Sequence, residues 1–281
     1  MAETQTLLSV GIDVGTTTTQ VVFSRLGITN AARTGLIPRM AITDKEVLYQ
    51  SPIVLTPLLD QDLVDAEKLV EIVRREYRAA GIEPAQVGTG AVIITGETAR
   101  KKNADAILHS LSGLAGDFIV SVAGPQQESL ISGRGSGAAQ YSREHYQMVT
   151  NLDIGGGSAN CAVFKGGNLI GGATMNFGGR ILTIDHTSGR VLHIAQAARY
   201  ILQDCQLNLQ TGDTPALADL RRFTDRMAEV TLELIEGGTS VLARQLYLTP
   251  PSQVSGAGSS LMFSGGVGHY YYHPVEIRTL T

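Results

Sequence analysis

Ser9-Val10-Gly11-Ile12-Asp13-Val14-Gly15-Thr16-Thr17-Thr18-Thr19 runs into Gln20-Val21-Val22-Phe23. The same order of residue types returns in Val149-Thr150-Asn151-Leu152-Asp153-Ile154-Gly155-Gly156-Gly157-Ser158, which runs into Ala159-Asn160-Cys161-Ala162-Val163-Phe164. Each reads as an apolar strand, Asp-apolar-Gly, hydroxyl residues and a returning strand. The two aspartates stand 140 positions apart. Two such hairpins at domain spacing predict a duplicated lobe with a phosphate-binding turn in each half.

The chemistry of a polyphosphate explains these residue types. Its closely spaced oxygens are met by successive backbone N–H groups in a concave nest. Glycine lets the backbone approach and take positive φ without steric cost. Thr16, Thr17 and Ser158 add hydroxyl donors. Asp13 and Asp153 would repel a phosphate unless a hard divalent cation lay between, and Mg²⁺ takes oxygen ligands from carboxylates and phosphates. They are therefore the candidate metal-holding residues. For either loop alone a tight β-turn in a glycine-rich sheet is an open alternative. The repeat favours the phosphate reading.

A third piece, Ser260-Leu261-Met262-Phe263-Ser264-Gly265-Gly266-Val267-Gly268, reads as an apolar strand entering a glycine turn. Such a turn suits packing of backbone against a flat purine and its ribose. Competing nucleotide motifs fail. Gly133-Arg134-Gly135-Ser136-Gly137-Ala138 has no leading strand and no acidic residue at the dinucleotide-fold distance. The chain contains no Gly-Lys dipeptide, so a Walker-type loop is excluded.

Hydrophobic content of 43% over 281 residues is globular, and the 32 glycines are interspersed with apolar runs, as tight turns require. A net charge of −4 gives no general attraction to nucleic acid or an anionic membrane. No run approaches the roughly 18–20 apolar residues that span a bilayer. Met1–Thr6 lacks the basic start of a secretory signal, so the expected compartment is the cytoplasm. Cys161 and Cys205 are too few and too distant for a zinc or redox motif, and Cys161 reads as a core residue. His269 and His273 are four apart, but Tyr270–Tyr272 and Pro274 argue against a helix there, and hence against a metal pair.

The coarse element order is α/β. Strands are expected at Leu7–Asp13, Gln20–Ser24, around Lys45–Leu55, and at Val87–Thr95, Asp117–Val122, Gln147–Asp153, Asn160–Lys165 and Leu169–Met175. Helices are expected over Asp62–Ala80, with Gly81 as C-cap, and over Ala99–Leu114, Val191–Gln203 and Ala216–Ile235. Leu130–Ala139 reads as a small-residue helix crossing between lobes, which places the lobes at 1–139 and 140–281. Arg100-Lys101-Lys102 reads as a solvated face, and Asp185–Arg190 as a turn.

The order of the three loops resembles the actin, Hsp70 and sugar-kinase superfamily, and within it the EutA family of reactivating factors for ethanolamine ammonia-lyase. Gly11–Gln20, Asn151–Asn160 and Phe263–Gly268 carry the resemblance, with Thr95–Lys101 and Gly124–Ser129 beside them. It implies a two-lobed actin-like ATPase fold made of duplicated ribonuclease-H-like lobes. It implies ATP or ADP with Mg²⁺, held by Gly15, Thr16 and Thr17 on one side and by Gly155, Gly156, Gly157 and Ser158 on the other. Gly265, Gly266 and Val267 would take the adenosine. Asp13, Asp153 and Glu128 would be the catalytic carboxylates, although Glu128 reads equally as a helix N-terminal glutamate.

The implied function is ATP-driven release of damaged cobalamin from ethanolamine ammonia-lyase, in the cytoplasm, with microcompartment association and homo-oligomer formation left open. A small-molecule kinase on the same scaffold and a non-hydrolysing nucleotide-binding scaffold are the alternatives. Family members continue beyond the adenosine loop, whereas this chain ends at Thr281. A shortened second lobe is therefore expected.

Overall fold

Strict alternation in two neighbouring strands builds the first sheet. Val10, Ile12 and Val14 of β1 (Gln5–Val14) and Val21 and Phe23 of β2 (Thr18–Asn30) are all buried on one face. The structure, a computed structural model, describes residues 5–15, 18–30, 40–60, 63–94, 104–112, 114, 117–122, 124–254 and 260–273. The chain divides into two units, Met1–Ala123 and Gly124–Thr281.

The first unit continues with β3 (Met40–Gln50), β4 (Val54–Leu55), β5 (Leu58–Asp60), β6 (Leu63–Val64), α1 (Ala66–Ala80), β7 (Thr89–Ile94), α2 (Ala104–Ser112) and β8 (Asp117–Val122). Its main sheet has the order β3-β2-β1-β7-β8, with β4 also on β2. Strands β1, β2 and β3 are antiparallel neighbours, and β7 and β8 run parallel to β1. Helix α1 starts where Asp65 accepts the Lys68 N–H at 3.1 Å. It buries Leu69, Val73 and Tyr77 at four-residue steps and stops at Gly81, whose φ of 68° is left-handed. Ile107 and Leu111 of α2 join the same core, so both helices lie on the Val10–Ile12–Val14 face. Asp13, with the opposite parity, points to the other face.

The second unit contains α3 (Pro125–Gly135), α4 (Ala138–Glu144), β9 (Met148–Ile154), β10 (Ala159–Lys165), β11 (Asn168–Met175), β12 (Leu182–Ile184), β13 (Val191–Ile194), α5 (Gln196–Asp204), α6 (Leu217–Glu236), α7 (Val241–Leu246), β14 (Ser260–Ser264) and α8 (Gly265–Tyr272). Its sheet has the order β11-β10-β9-β14, with β9, β10 and β11 antiparallel and β14 parallel to β9. In both sheets the third, second and first strands lie side by side and antiparallel, and a later strand joins the first in parallel. The α/β plan expected from the duplicated hairpins is therefore present in both units. One face of this sheet packs Leu152, Cys161, Val163 and Met175 against α5, α6 and α7. The other packs Val149, Ala162 and Phe164 against α3 and α4. Each fully buried side chain of that size stabilises the unit by about 1.5–3 kcal/mol.

Three expectations change. A lobe boundary at residue 139 leaves α3 with the first lobe, yet α3 packs on β9, β10 and β11. Gly133 permits this, because a Cβ there would meet the Phe164 ring at 2.6 Å or less. The helix expected from Val191 begins only at Gln196. Val191–Ile194 is a strand, paired with Leu182–Ile184 across the Asp185–Arg190 turn. His269 lies inside α8 and His273 caps it. Pro274 forbids α-geometry only to the residue before it, so it ends the helix at Tyr272 rather than preventing it. The Arg100–Lys102 run and the Thr95–Lys101 string lie outside the described residues. Among the described residues no helix is long and apolar enough to cross a membrane.

Candidate functional site

The two hairpins share one geometry. Gly15 N–H donates to Thr18 O at 2.8 Å, and Gly155 N–H donates to Ser158 O at 3.0 Å. Asp13 stands opposite Gln20 in its ladder, and Asp153 opposite Asn160. Each leading glycine also has its carbonyl pinned from outside. Thr56 Oγ1 donates to Gly15 O at 2.9 Å, and Gly179 N–H donates to Gly155 O at 2.9 Å. Thr56 has one hydroxyl proton, so Thr19, 3.0 Å away, donates to it. Arg180 N–H adds a second pin, to Gly156 O at 2.8 Å. Thr56 follows β4 of its sheet, and Gly179 and Arg180 follow β11 of theirs. Thr16 and Thr17 lie outside the described residues.

A polar row crosses the second sheet under α3. Ser264 of β14, Asp153 of β9, Asn160 of β10 and Thr174 of β11 are directly opposed in register, so their side chains share a face. Helix α3 lays Glu128, Ser129, Ser132 and Ser136 along this row. Thr174 Oγ1 donates to Asn160 Oδ1 at 2.7 Å, which orients the amide. Its Nδ2 then donates to Glu128 Oε1 at 3.1 Å. Ser158 Oγ reaches the same carboxylate oxygen at 3.5 Å. Ser136 donates to Asn151 Oδ1 at 2.7 Å, and Asn151 donates to Ser264 Oγ at 3.1 Å. Glu128 also sits in the first turn of α3, with its N–H on Gly124 O. The residue thus stands in the first turn of α3 and faces Asn160 and Ser158 at once.

Desolvation pushes the Asp153 carboxyl above the usual carboxylate range, and hydrogen bonds with the Ser132 and Ser264 hydroxyls pull it part of the way back. Gly265 packs directly on the end of β9. Its φ is 77°, and a Cβ there would fall on Asp153 Oδ1 and the Ile154 carbonyl. Gly178 and Gly179 thread between the loops: a Cβ on Gly178 would lie 2.6 Å from Gly155 O, and one on Gly179 2.7 Å from Val267 Cγ2. What reads in sequence as strand and glycine turn is strand β14 followed at once by the first turn of α8, with Gly265, Gly266 and Val267 at its start.

The second unit thus gathers Glu128, Asp153, Gly155–Ser158 and Gly265–Val267, while Asp13 and Gly15 belong to the first. Sequence reasoning missed Thr56, Asn160, Ser132 and Gly178-Gly179-Arg180. Two signals were available: polar Asn151, Asn160 and Thr174 inside apolar strands, and a glycine pair just after a third strand.

The residues present fit a phosphate with a hard cation. The N–H groups of Gly156, Gly157 and Ser158 donate to no described residue, which leaves three successive donors for oxygen. Asp153 offers a hard oxygen ligand whose charged form needs compensation. Among the described residues no three His, Cys, Asp or Glu side chains cluster as a metal cage.

The model of the family described as ethanolamine utilisation protein EutA matches residues 5–280. The ethanolamine ammonia-lyase reactivase EutA of Escherichia coli strain K12 is 42% identical over 270 residues, covering 96% of this chain and 58% of that protein. Its counterpart from Salmonella typhimurium strain LT2 is 40% identical over 268 residues, covering 95% of this chain and 57% of that protein. The chain therefore spans less than two thirds of the length of these relatives. Among solved structures, MreB 5 of Spiroplasma citri bound to AMPPNP aligns with a TM-score of 0.45 at 13% identity, over 94% of this chain and 86% of that one.

Proposed function

This chain belongs to the EutA family, and from that premise we propose that it acts as an ATP-dependent reactivating factor for ethanolamine ammonia-lyase. The observation that carries the proposal is the pair of hairpins with equivalent register, each with its leading glycine pinned and an aspartate at the strand end. Bound Mg²⁺ and nucleotide supply the neutralising charge and the hydrolysable phosphate. Asp13 in its unit and Asp153 in the other would each offer a carboxylate oxygen suited to such a cation. In the first unit Gly15, Thr16 and Thr17, and in the second Gly155, Gly156, Gly157 and Ser158, would be the phosphate-binding groups. Gly265, Gly266 and Val267 take the adenosine. Glu128, held by Asn160 and Ser158, would be the carboxylate that orients a water toward a bound phosphate. Positioning and charge neutralisation are what phosphoryl transfer asks of a protein.

Nucleotide state drives the partner only if it changes the factor's relative affinity for the tight and open lyase. The lyase then releases damaged cobalamin and admits intact adenosylcobalamin, while the factor itself holds no corrinoid. The test mixes the chain with cobalamin-inactivated ethanolamine ammonia-lyase, Mg²⁺ and fresh adenosylcobalamin, with and without ATP. ATP-dependent recovery of lyase activity is expected. No recovery, together with phosphate transfer to an added small acceptor, would establish a kinase instead.

A further inference from the structure

The segment that pins the second hairpin ends in a cation with no assigned work. Arg180 N–H donates to Gly156 O at 2.8 Å, and Gly179 N–H donates to Gly155 O at 2.9 Å. Gly178 packs so closely on Gly155 and Gly156 that no Cβ fits between them. The Arg180 backbone is therefore tied to the loop whose Gly156, Gly157 and Ser158 N–H groups donate to no described residue. Its side chain is exposed and forms no ion pair with any described residue.

The charge balance of the site asks for such a group. Asp153 and Glu128 bring two carboxylates to the α3 face, and the loop itself offers only neutral N–H donors. A polyphosphate seated there needs positive charge beyond a single divalent ion. A guanidinium presents a planar fork matched to phosphate oxygens and is charged at every working pH.

We propose that Arg180 is a phosphate-binding residue, its guanidinium closing on the phosphate chain of the nucleotide held by Gly155–Ser158. The proposal rests on the nucleotide-binding reading given above. It makes Gly178-Gly179-Arg180 a single device in which two glycines set the distance and the arginine delivers the charge.

Arg180→Gln tests it, because glutamine keeps the backbone N–H that pins Gly156. Titration calorimetry with Mg-ATP, Mg-ADP and adenosine, at low and high salt, provides the readout. The variant should lose at least tenfold in affinity for both phosphorylated ligands, with adenosine binding and thermal midpoint unchanged. The salt dependence of Mg-ATP binding should also become shallower than in the wild type. Wild-type affinity for Mg-ATP and Mg-ADP in a folded Arg180→Gln variant would overturn the role of Arg180 alone. A wild-type chain that binds neither nucleotide would overturn the nucleotide-binding reading and this proposal together.

Discussion

The Thr56 hydroxyl donates to the Gly15 carbonyl at 2.9 Å, doing for the first hairpin what the Gly179 backbone N–H does for the second. One loop is held by a side chain and the other by backbone, so they respond differently to substitution. Thr56→Val keeps the shape and removes the donor, leaving the Gly15 carbonyl and the buried Thr19 hydroxyl without this partner. A loss of about 1–3 kcal/mol in the stability of the first unit is expected, and Thr56→Ser should restore most of it. Urea denaturation and amide exchange at Gly15 check this; equal stability of the Thr56→Val and Thr56→Ser variants would show that the pin carries no energy.

The second hairpin should be sensitive to single methyl groups. A Cβ on Gly178 would meet backbone at 2.6 Å, and one on Gly265 would combine left-handed φ with a collision at Asp153. Gly178→Ala and Gly265→Ala should each cost about 1–3 kcal/mol and weaken Mg-ADP binding. Gly266→Ala, where nothing lies within 4 Å of the added atom, is the control and should fold as the wild type does. Calorimetric titration and thermal melts compare the three.

Asp153 sets a pH dependence with a definite sign. Its folded pKa lies above its unfolded value because desolvation outweighs the two serine hydrogen bonds. The folded chain therefore binds this proton more tightly than the unfolded chain does. Stability falls as pH rises from about 4 through the raised folded value, and above that value the full penalty remains. Asp153→Asn should raise the stability of the second unit at pH 7 by on the order of 1 kcal/mol. The gain should vanish toward pH 3 and shrink when Mg²⁺ is added. Denaturation midpoints from pH 3 to 8 test it. The same variant should lose Mg-dependent ATP hydrolysis.

Two tyrosines in the first unit give opposite expectations. Tyr77 packs edge-on against Phe23 at 4.7 Å, and its hydroxyl has no hydrogen-bond partner among the described residues. Burial pushes its phenol up to about 12. Tyr77→Phe should be neutral or stabilising by up to about 1 kcal/mol. Tyr49 donates to the buried Glu76 at 2.7 Å, so Tyr49→Phe should destabilise by about 1–3 kcal/mol. Thermal melts of the pair would refute the assignment if their order were reversed.

Much of the fold was legible because its signals act over a few residues. Asp117–Val122 appears with the bounds its apolar run suggests, and Gly81 takes the left-handed turn expected of it. The two hairpins announce themselves through Asp-apolar-Gly within one turn. The helix expected from Val191 misled because Val191, Ile194, Ala197, Ala198, Ile201 and Leu202 keep helical spacing throughout. Pairing of Thr183 with His193 holds the first four residues extended.

By itself the sequence determined the duplicated α/β plan, both hairpins, the Ser260–Ser264 strand and membership of the EutA family, since turns, caps and strand alternation are short-range chemistry. Tertiary structure alone decided that α3 belongs to the second sheet, that Thr56 and Gly179 do equivalent work, and that the Arg180 backbone is tied to Gly156. Those facts depend on contacts such as Asn151 with Ser264, 113 residues apart, whose formation no local pattern records. The proton affinity of Asp153 belongs with them, because desolvation is a property of what surrounds a carboxylate and not of its neighbours in the chain.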